Sequence, residues 1–157
     1  MIEFDASPDV RFAVPEDEDA MFELGILAHE ESAQHPMDAE KVRAGLNAMC
    51  HRRNAMAGVI GPVGGPLRGM VLMTIDAIWY SPDYQLLELT CFVHPDHRRN
   101  RYAKQLINFS KTVSDNLGID LMIGIVSNKR TEAKIRLYQR QLQHVGAFFV
   151  HHPNGHA

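Results

Sequence analysis

The chain is poor in several things, and each shortage removes a class of protein. Only two cysteines, Cys50 and Cys91, occur in 157 residues, and they form no C-x-x-C pair. That excludes a disulfide framework and makes a reducing compartment the simpler setting. No apolar run approaches the length of a membrane span, and no basic stretch leading into an apolar one opens the sequence. A cytoplasmic protein without membrane contact is therefore expected. The net charge of −3 lacks the positive excess of a general nucleic-acid binder. Repeats, low-complexity tracts and long linkers are missing as well, so one domain spanning 1–157 is expected, with 151–157 as a flexible tail.

What is present is the composition of a folded globular protein, 45% hydrophobic and 22% charged. Val10 to Val14 reads as a strand, and the acidic Pro15-Glu16-Asp17 opens a helix to about His29. Asp38 is placed to cap a second helix through about Arg52, with Val42, Leu46 and Met49 at helical spacing. Met56 to Ile60 and Arg68 to about Trp79 form a hairpin around a Gly/Pro-rich turn, and a strand from Tyr84 to Val93 stops at Pro95. A helix from Arg101 to Leu117 ends at Gly118. The continuous apolar run Ile119 to Val126 suits a buried parallel strand. A helix from about Arg130 to Leu142 and a last strand from Ala147 to Val150 complete the order βααβββαβαβ. This is an α/β (mixed α+β) pattern.

One short segment holds a local charge excess that the net charge hides: Arg98, Arg99, Arg101 and Lys104. It falls between a buried strand and the start of a helix. Unpaired amides at a helix N-terminus and adjacent guanidinium groups are two anion-binding devices, so a phosphate group suits this loop.

The loop sequence Val93-His94-Pro95-Asp96-His97-Arg98-Arg99-Asn100-Arg101-Tyr102-Ala103 resembles the cofactor motif of the GNAT superfamily of N-acetyltransferases. In that motif Q/R-x-x-G-x-G/A follows a strand ending V-x-P, and the matching positions here are Val93, Pro95, Arg98 and Ala103. Arg101 stands where the family has its central glycine. Two further stretches resemble the superfamily in order along the chain: Val10 to Asp17, and Asn128 followed by Ala133, Leu137-Tyr138 and Gly146-Ala147-Phe148. The resemblance implies a central mixed sheet of about six strands flanked by about four helices, in which the fourth and fifth strands splay apart. It also implies acetyl-CoA as co-substrate, held by Cys91, Phe92 and Val93 through their backbone, by Arg98, Arg99, Asn100, Arg101, Tyr102 and Ala103, and by Asn128.

The implied reaction, attack of an amine on a thioester, sets three demands. An alkyl amine of pKa about 10.4 must lose a proton, the oxyanion needs donors, and the CoA thiolate must leave. Tyr138 matches the family's tyrosine that protonates the thiolate, and Glu88 is the expected base. The family's base falls on the strand parity of Leu87 and Gln85, so Glu88 needs a bulge to bring it to the same face.

The plainer readings are a solvated basic helix start for the arginines, a core position for Tyr138, a paired surface carboxylate for Glu88 and a helix cap for Asn128. The histidines of His94-Pro95-Asp96-His97 and of the tail lack the spacing of a zinc site with cysteine or acidic partners, so no metal is expected. The leading expectation is an acetyl-CoA-dependent N-acetyltransferase acting on a small-molecule or protein amine. The alternative is a catalytically inactive module of the same fold that binds CoA or a partner. Nucleic-acid binding by the basic loop is a third and lesser reading. A homodimer is compatible with the sequence.

Overall fold

The computed structural model describes residues 9–126 and 131–153. Strand β1 (Val10–Phe12) leads through a 3-10 turn at Pro15–Asp17 into α1 (Glu18–Ser32), followed by α2 (Ala39–Cys50). Strands β2 (Ala55–Ile60), β3 (Gly69–Ala77) and β4 (Tyr84–Val93) come next. A second 3-10 turn at Pro95–His97, helix α3 (Tyr102–Leu117), strand β5 (Asp120–Met122) and helix α4 (Thr131–Gln139) complete the elements. The sheet order is β1-β2-β3-β4-β5, with the first three pairings antiparallel and β4 parallel to β5.

Local chemistry accounts for most boundaries. The Asp38 carboxylate accepts from the Lys41 amide at 3.0 Å and caps α2. Gly118 ends α3 at φ 66°, where its amide donates to the Ser114 carbonyl at 2.9 Å. At the start of α1, Asp17 is fully buried and accepts from both terminal nitrogens of Arg11, at 2.7 and 2.9 Å, and from the amides of Val14 and Gly64. Burial by itself would raise this carboxyl's pKa, but the Arg11 guanidinium and the two amides outweigh it and hold it below the usual value. One side chain thereby ties β1, the helix start and the β2–β3 turn together.

Helices cover both faces of the sheet. Met21 and Leu24 of α1 and Leu46 and Met49 of α2 pack with Val59, Met70 and Phe92 on one face. On the other, Leu106 and Val113 of α3 pack with Ile60, Val71, Met73, Leu86 and Val93. Strand β2 is buried along its whole length for this reason. Its Gly58 lets α3 come close: a Cβ there would lie 2.6 Å from the ring of Phe109, which itself packs edge-on against Phe12. We expect Gly58→Ala to destabilise the fold by about 2 kcal/mol through overpacking. A urea midpoint lowered at constant m-value is the measurement that checks this.

Two expectations fail at the end of the chain. The parallel strand expected over Ile119 to Val126 pairs only from Asp120 to Met122. The strand expected over Ala147 to Val150 does not form, so the sheet has five strands among the described residues. The Phe148 ring lies against Gly124, yet no ladder of hydrogen bonds joins the two segments. Phe148, Phe149 and Val150 pair with no strand among the described residues. All three side chains stay more than three-quarters exposed.

Candidate active site

Strand β4 extends well past its last pairing with β5, which is at Leu87 opposite Met122. Beyond Leu87 the edge of β4 has no β5 partner among the described residues, and its last three residues look onto a cleft of about 350 Å³, while Glu88 falls outside the cleft lining. Cys91, Phe92 and Val93 of β4 form one wall. Arg98, Asn100, Arg101, Ala103 and Lys104 form the end at the start of α3, and Ala133, Lys134, Leu137 and Tyr138 of α4 form the opposite wall. Glu31, from the last turn of α1, closes a fourth side.

The end at α3 is an anion site by construction. The first hydrogen bond of the helix runs from the Gln105 amide to the Arg101 carbonyl at 3.0 Å, so the amides of Tyr102, Ala103 and Lys104 precede the helical ladder. No side chain caps them. Arg101, in the family's glycine position, has φ −82° and ψ 14°, a conformation open to any L residue, and so causes no backbone strain. The Arg98 Nε donates to the Val93 carbonyl at 3.1 Å, its terminal nitrogen pairs with the Glu31 carboxylate, and its guanidinium lies 5.3 Å from the Phe92 ring centre. Arg99 and Tyr102 fall outside the cleft wall, and the Tyr102 hydroxyl instead accepts from Arg68 at 2.9 Å. Asn128 lies outside the described residues.

The bulge that Glu88 requires is present. Leu72 pairs with Thr90 while the next residue, Met73, pairs with Glu88, which leaves Leu89 as the extra residue of β4. Glu88 consequently shares a face with Cys91 and Val93, the partners of Val71 and Gly69 on β3. Tyr138 and Cys91 lie close enough to shift one another's ionisation, and the Gly124 amide and Lys134 lie near enough to the Glu88 carboxyl to favour its charged form.

Burial dominates the electrostatics of this group. It pushes the Glu88 carboxyl up to about 8, against the smaller opposing effects of the Gly124 amide and Lys134. It also pushes the Cys91 thiol up to about 12, helped by the Glu88 charge, so Cys91 is no thiolate nucleophile near neutrality. The Tyr138 phenol is raised by burial, by Cys91 and by Glu88, and stays protonated. The site therefore holds a carboxyl that changes charge close to neutral pH, a phenol that keeps its proton, and a basic pocket for an anion.

Sequence reasoning placed Lys104 in the basic loop and quoted Ala133 and Leu137 as motif positions, but it gave Lys134 no place in this site and did not join Glu31 to Arg98. Lys134 stands one helical turn before Tyr138, so helical spacing from the tyrosine could have found it. Glu31 meets Arg98 across 67 positions of sequence, a contact that no local pattern announces.

A parallel strand pair that parts beside an uncapped basic helix start, with a carboxyl and a phenol on the open edge, is the arrangement of an acyltransferase. The chain belongs to the acetyltransferase (GNAT) family, whose sequence profile matches residues 18–142. The fold is similar to that of an integron cassette protein from the mobile metagenome of Cole Harbour Salt Marsh, with TM-score 0.74 and 16% identity, over 100% of this chain and 98% of that one. It is also similar to a ribosomal-protein-alanine N-acetyltransferase from Brucella melitensis biovar Abortus 2308, with TM-score 0.67 and 16% identity, over 92% and 98% of the two chains. A third similar structure is the aminoglycoside N-acetyltransferase AAC(6')-Iy in complex with CoA, with TM-score 0.69 and 15% identity, over 92% and 93%. No curated protein sequence matches this chain significantly.

Proposed function

We propose that the protein transfers an acetyl group from acetyl-CoA to a primary amine by direct attack in a ternary complex. The observation that carries this reading is the Leu89 bulge, which puts Glu88 on the same face of β4 as Cys91, a residue of the cleft that Tyr138 lines from α4. Acetyl-CoA supplies an activated acyl group on a thiol that can leave. Its phosphates suit the free amides of α3 with Arg101 and Lys104 beside them. The edge of Cys91 to Val93 that has no β5 partner among the described residues suits the pantetheine arm and the carbonyl oxygen on which charge develops. Glu88, once ionised, takes the proton of the attacking amine. Tyr138 gives its proton to the departing sulfur and recovers one from solvent. Cys91, its thiol pushed up by burial, stays protonated beside Tyr138 and forms no acyl bond of its own.

Two N-acetyltransferase neighbours, one of them bound to CoA, support the choice of donor and of nitrogen as acceptor. The aminoglycoside enzymes among them favour a small-molecule amine. Calorimetry with acetyl-CoA, together with a thiol-release assay over a panel of amines, tests the proposal. Binding with no thiol release for any amine would replace it by the inactive CoA-binding module. We further expect Arg98→Ala to weaken CoA binding by about 1.5–3 kcal/mol, the range for a hydrogen bond to a charged group. Calorimetry of the variant with CoA checks it.

A further inference from the structure

Strand β4 is used in three stretches. Gln85 to Leu87 pair with β5, and Cys91 to Val93 form a wall of the cleft. Glu88, Leu89 and Thr90, between them, belong to neither: they have no β5 partner among the described residues and do not line the cleft. With a cofactor in the cleft, this short stretch is where an amine can approach the thioester and meet Glu88.

The two faces of the sheet differ at this point. Leu86 of β4 and Leu121 of β5, paired with one another, point into the core under α3. Side chains alternate along a strand, so the next pair, Leu87 and Met122, point to the opposite face, the one that α1 and α2 cover further along at Met70 and Phe92. The bulge turns Leu89 to that face as well, away from Glu88. The helices do not cover these residues, and Leu89 is 55% and Met122 39% exposed. Leu87, Leu89 and Met122 thus make an apolar floor where the two strands part. The charges around it suit a cation. From Gly69 to Val93 there is no lysine, arginine or histidine, and the only charged residues are Asp76, Asp83 and Glu88. A polyhydroxylated acceptor gains nothing from a hydrocarbon floor, whereas an ammonium carrying a hydrocarbon group is favoured at both ends. Apolar surroundings also favour the neutral form of the amine, which is the form that attacks.

We propose that Leu89 and Met122 are specificity-determining residues, which hold the hydrocarbon part of an alkyl- or arylalkylamine acceptor while its amine enters the gap beside Glu88. The inference rests on the acetyl-transfer reading and narrows the acceptor of that reading to apolar primary amines.

The test is the homologous series from ethylamine to hexylamine, with 3-aminopropanol as the polar counterpart of butylamine, all with acetyl-CoA as donor. In the wild type kcat/KM should rise about two- to fourfold for each added methylene, the gain from burying a CH₂ group in part or in full. Butylamine should exceed the amino alcohol by about fivefold or more, because a hydroxyl on this floor finds no partner. Leu89→Ser and Met122→Ser should each flatten the rise, and Leu89→Met should keep it, with the CoA dissociation constant within about twofold throughout. The increment per methylene is a ratio within one variant, so it does not depend on how much of that variant folds, and serine variants on two strands keep the test open if one of them fails to fold. A wild type that releases thiol without dependence on chain length, or that prefers the amino alcohol, overturns the inference. So does a serine variant that binds CoA and keeps the rise. A wild type that releases no thiol with any amine removes the acetyl-transfer reading itself, and this inference with it.

Discussion

Tyr138→Phe is expected to lower kcat by about 10²-fold or more, the lower end of what a positioned proton donor contributes, while the CoA dissociation constant stays within about twofold. The substitution removes one oxygen from the wall of the cleft and leaves the ring. Binding should be preserved because the anion pocket at Arg98 to Lys104 lies at the other end. Chemistry should suffer because the leaving thiolate loses its donor. A CoA thiol has an ordinary thiol pKa of about 8.5, and the Tyr138 phenol is raised above its own usual value by burial and by its neighbours. The phenol therefore never arrives deprotonated, and the tyrosinate left after transfer regains a proton at once. The Cys91 thiol lies near the Tyr138 hydroxyl in the resting site, so this phenol already sits beside a sulfur. Steady-state kinetics paired with calorimetry decides the matter. Unchanged turnover in the variant would remove Tyr138 from the acid role.

The parts of this site that a linear reading reaches are those written locally. Strand β4 could be bounded from Tyr84 to Val93 because an apolar, β-prone run is cut by Pro95, and α3 because Gly118 adopts the left-handed conformation that ends helices. The phosphate loop could be located because charge and a helix start coincide in one short segment. The last strand misled because its apolar pattern is sound, while a strand also needs a partner edge and a covering layer. Those are properties of the β5 region and not of Phe148 and Phe149 themselves. The Glu88 register required an extra residue, and only the pairing of Leu72 with Thr90 and of Met73 with Glu88 shows that Leu89 is that residue. The Arg98 to Glu31 pair joins an acid in α1 to a loop far along the chain, so nothing short of the fold could show it.

The second large effect concerns Glu88 and is read through pH. With its carboxyl pushed up to about 8, only about a tenth of the wild-type molecules hold an ionised Glu88 at pH 7. If this carboxylate takes the amine proton, kcat should climb about tenfold per pH unit up to about 8 and then level. That inflection is well separated from the acceptor amine itself, which titrates near about 10.4. Glu88→Gln should cost about 10²-fold in kcat and erase the inflection, because the amide has no basic oxygen to offer. Stability supplies an independent reading of the same proton. The folded pKa is raised above the ordinary 4.5, so between about 4.5 and about 8 the folded state keeps a proton that the unfolded chain gives up. The stabilising contribution is fully present below the ordinary value and is lost as pH rises through the folded one. Wild-type stability should therefore carry a downward component across that window, and Glu88→Gln should remove it. A kinetic inflection that persists in the variant would hand the base role to another group. A stability slope that persists would mean that Glu88 is less confined than its burial on β4 requires.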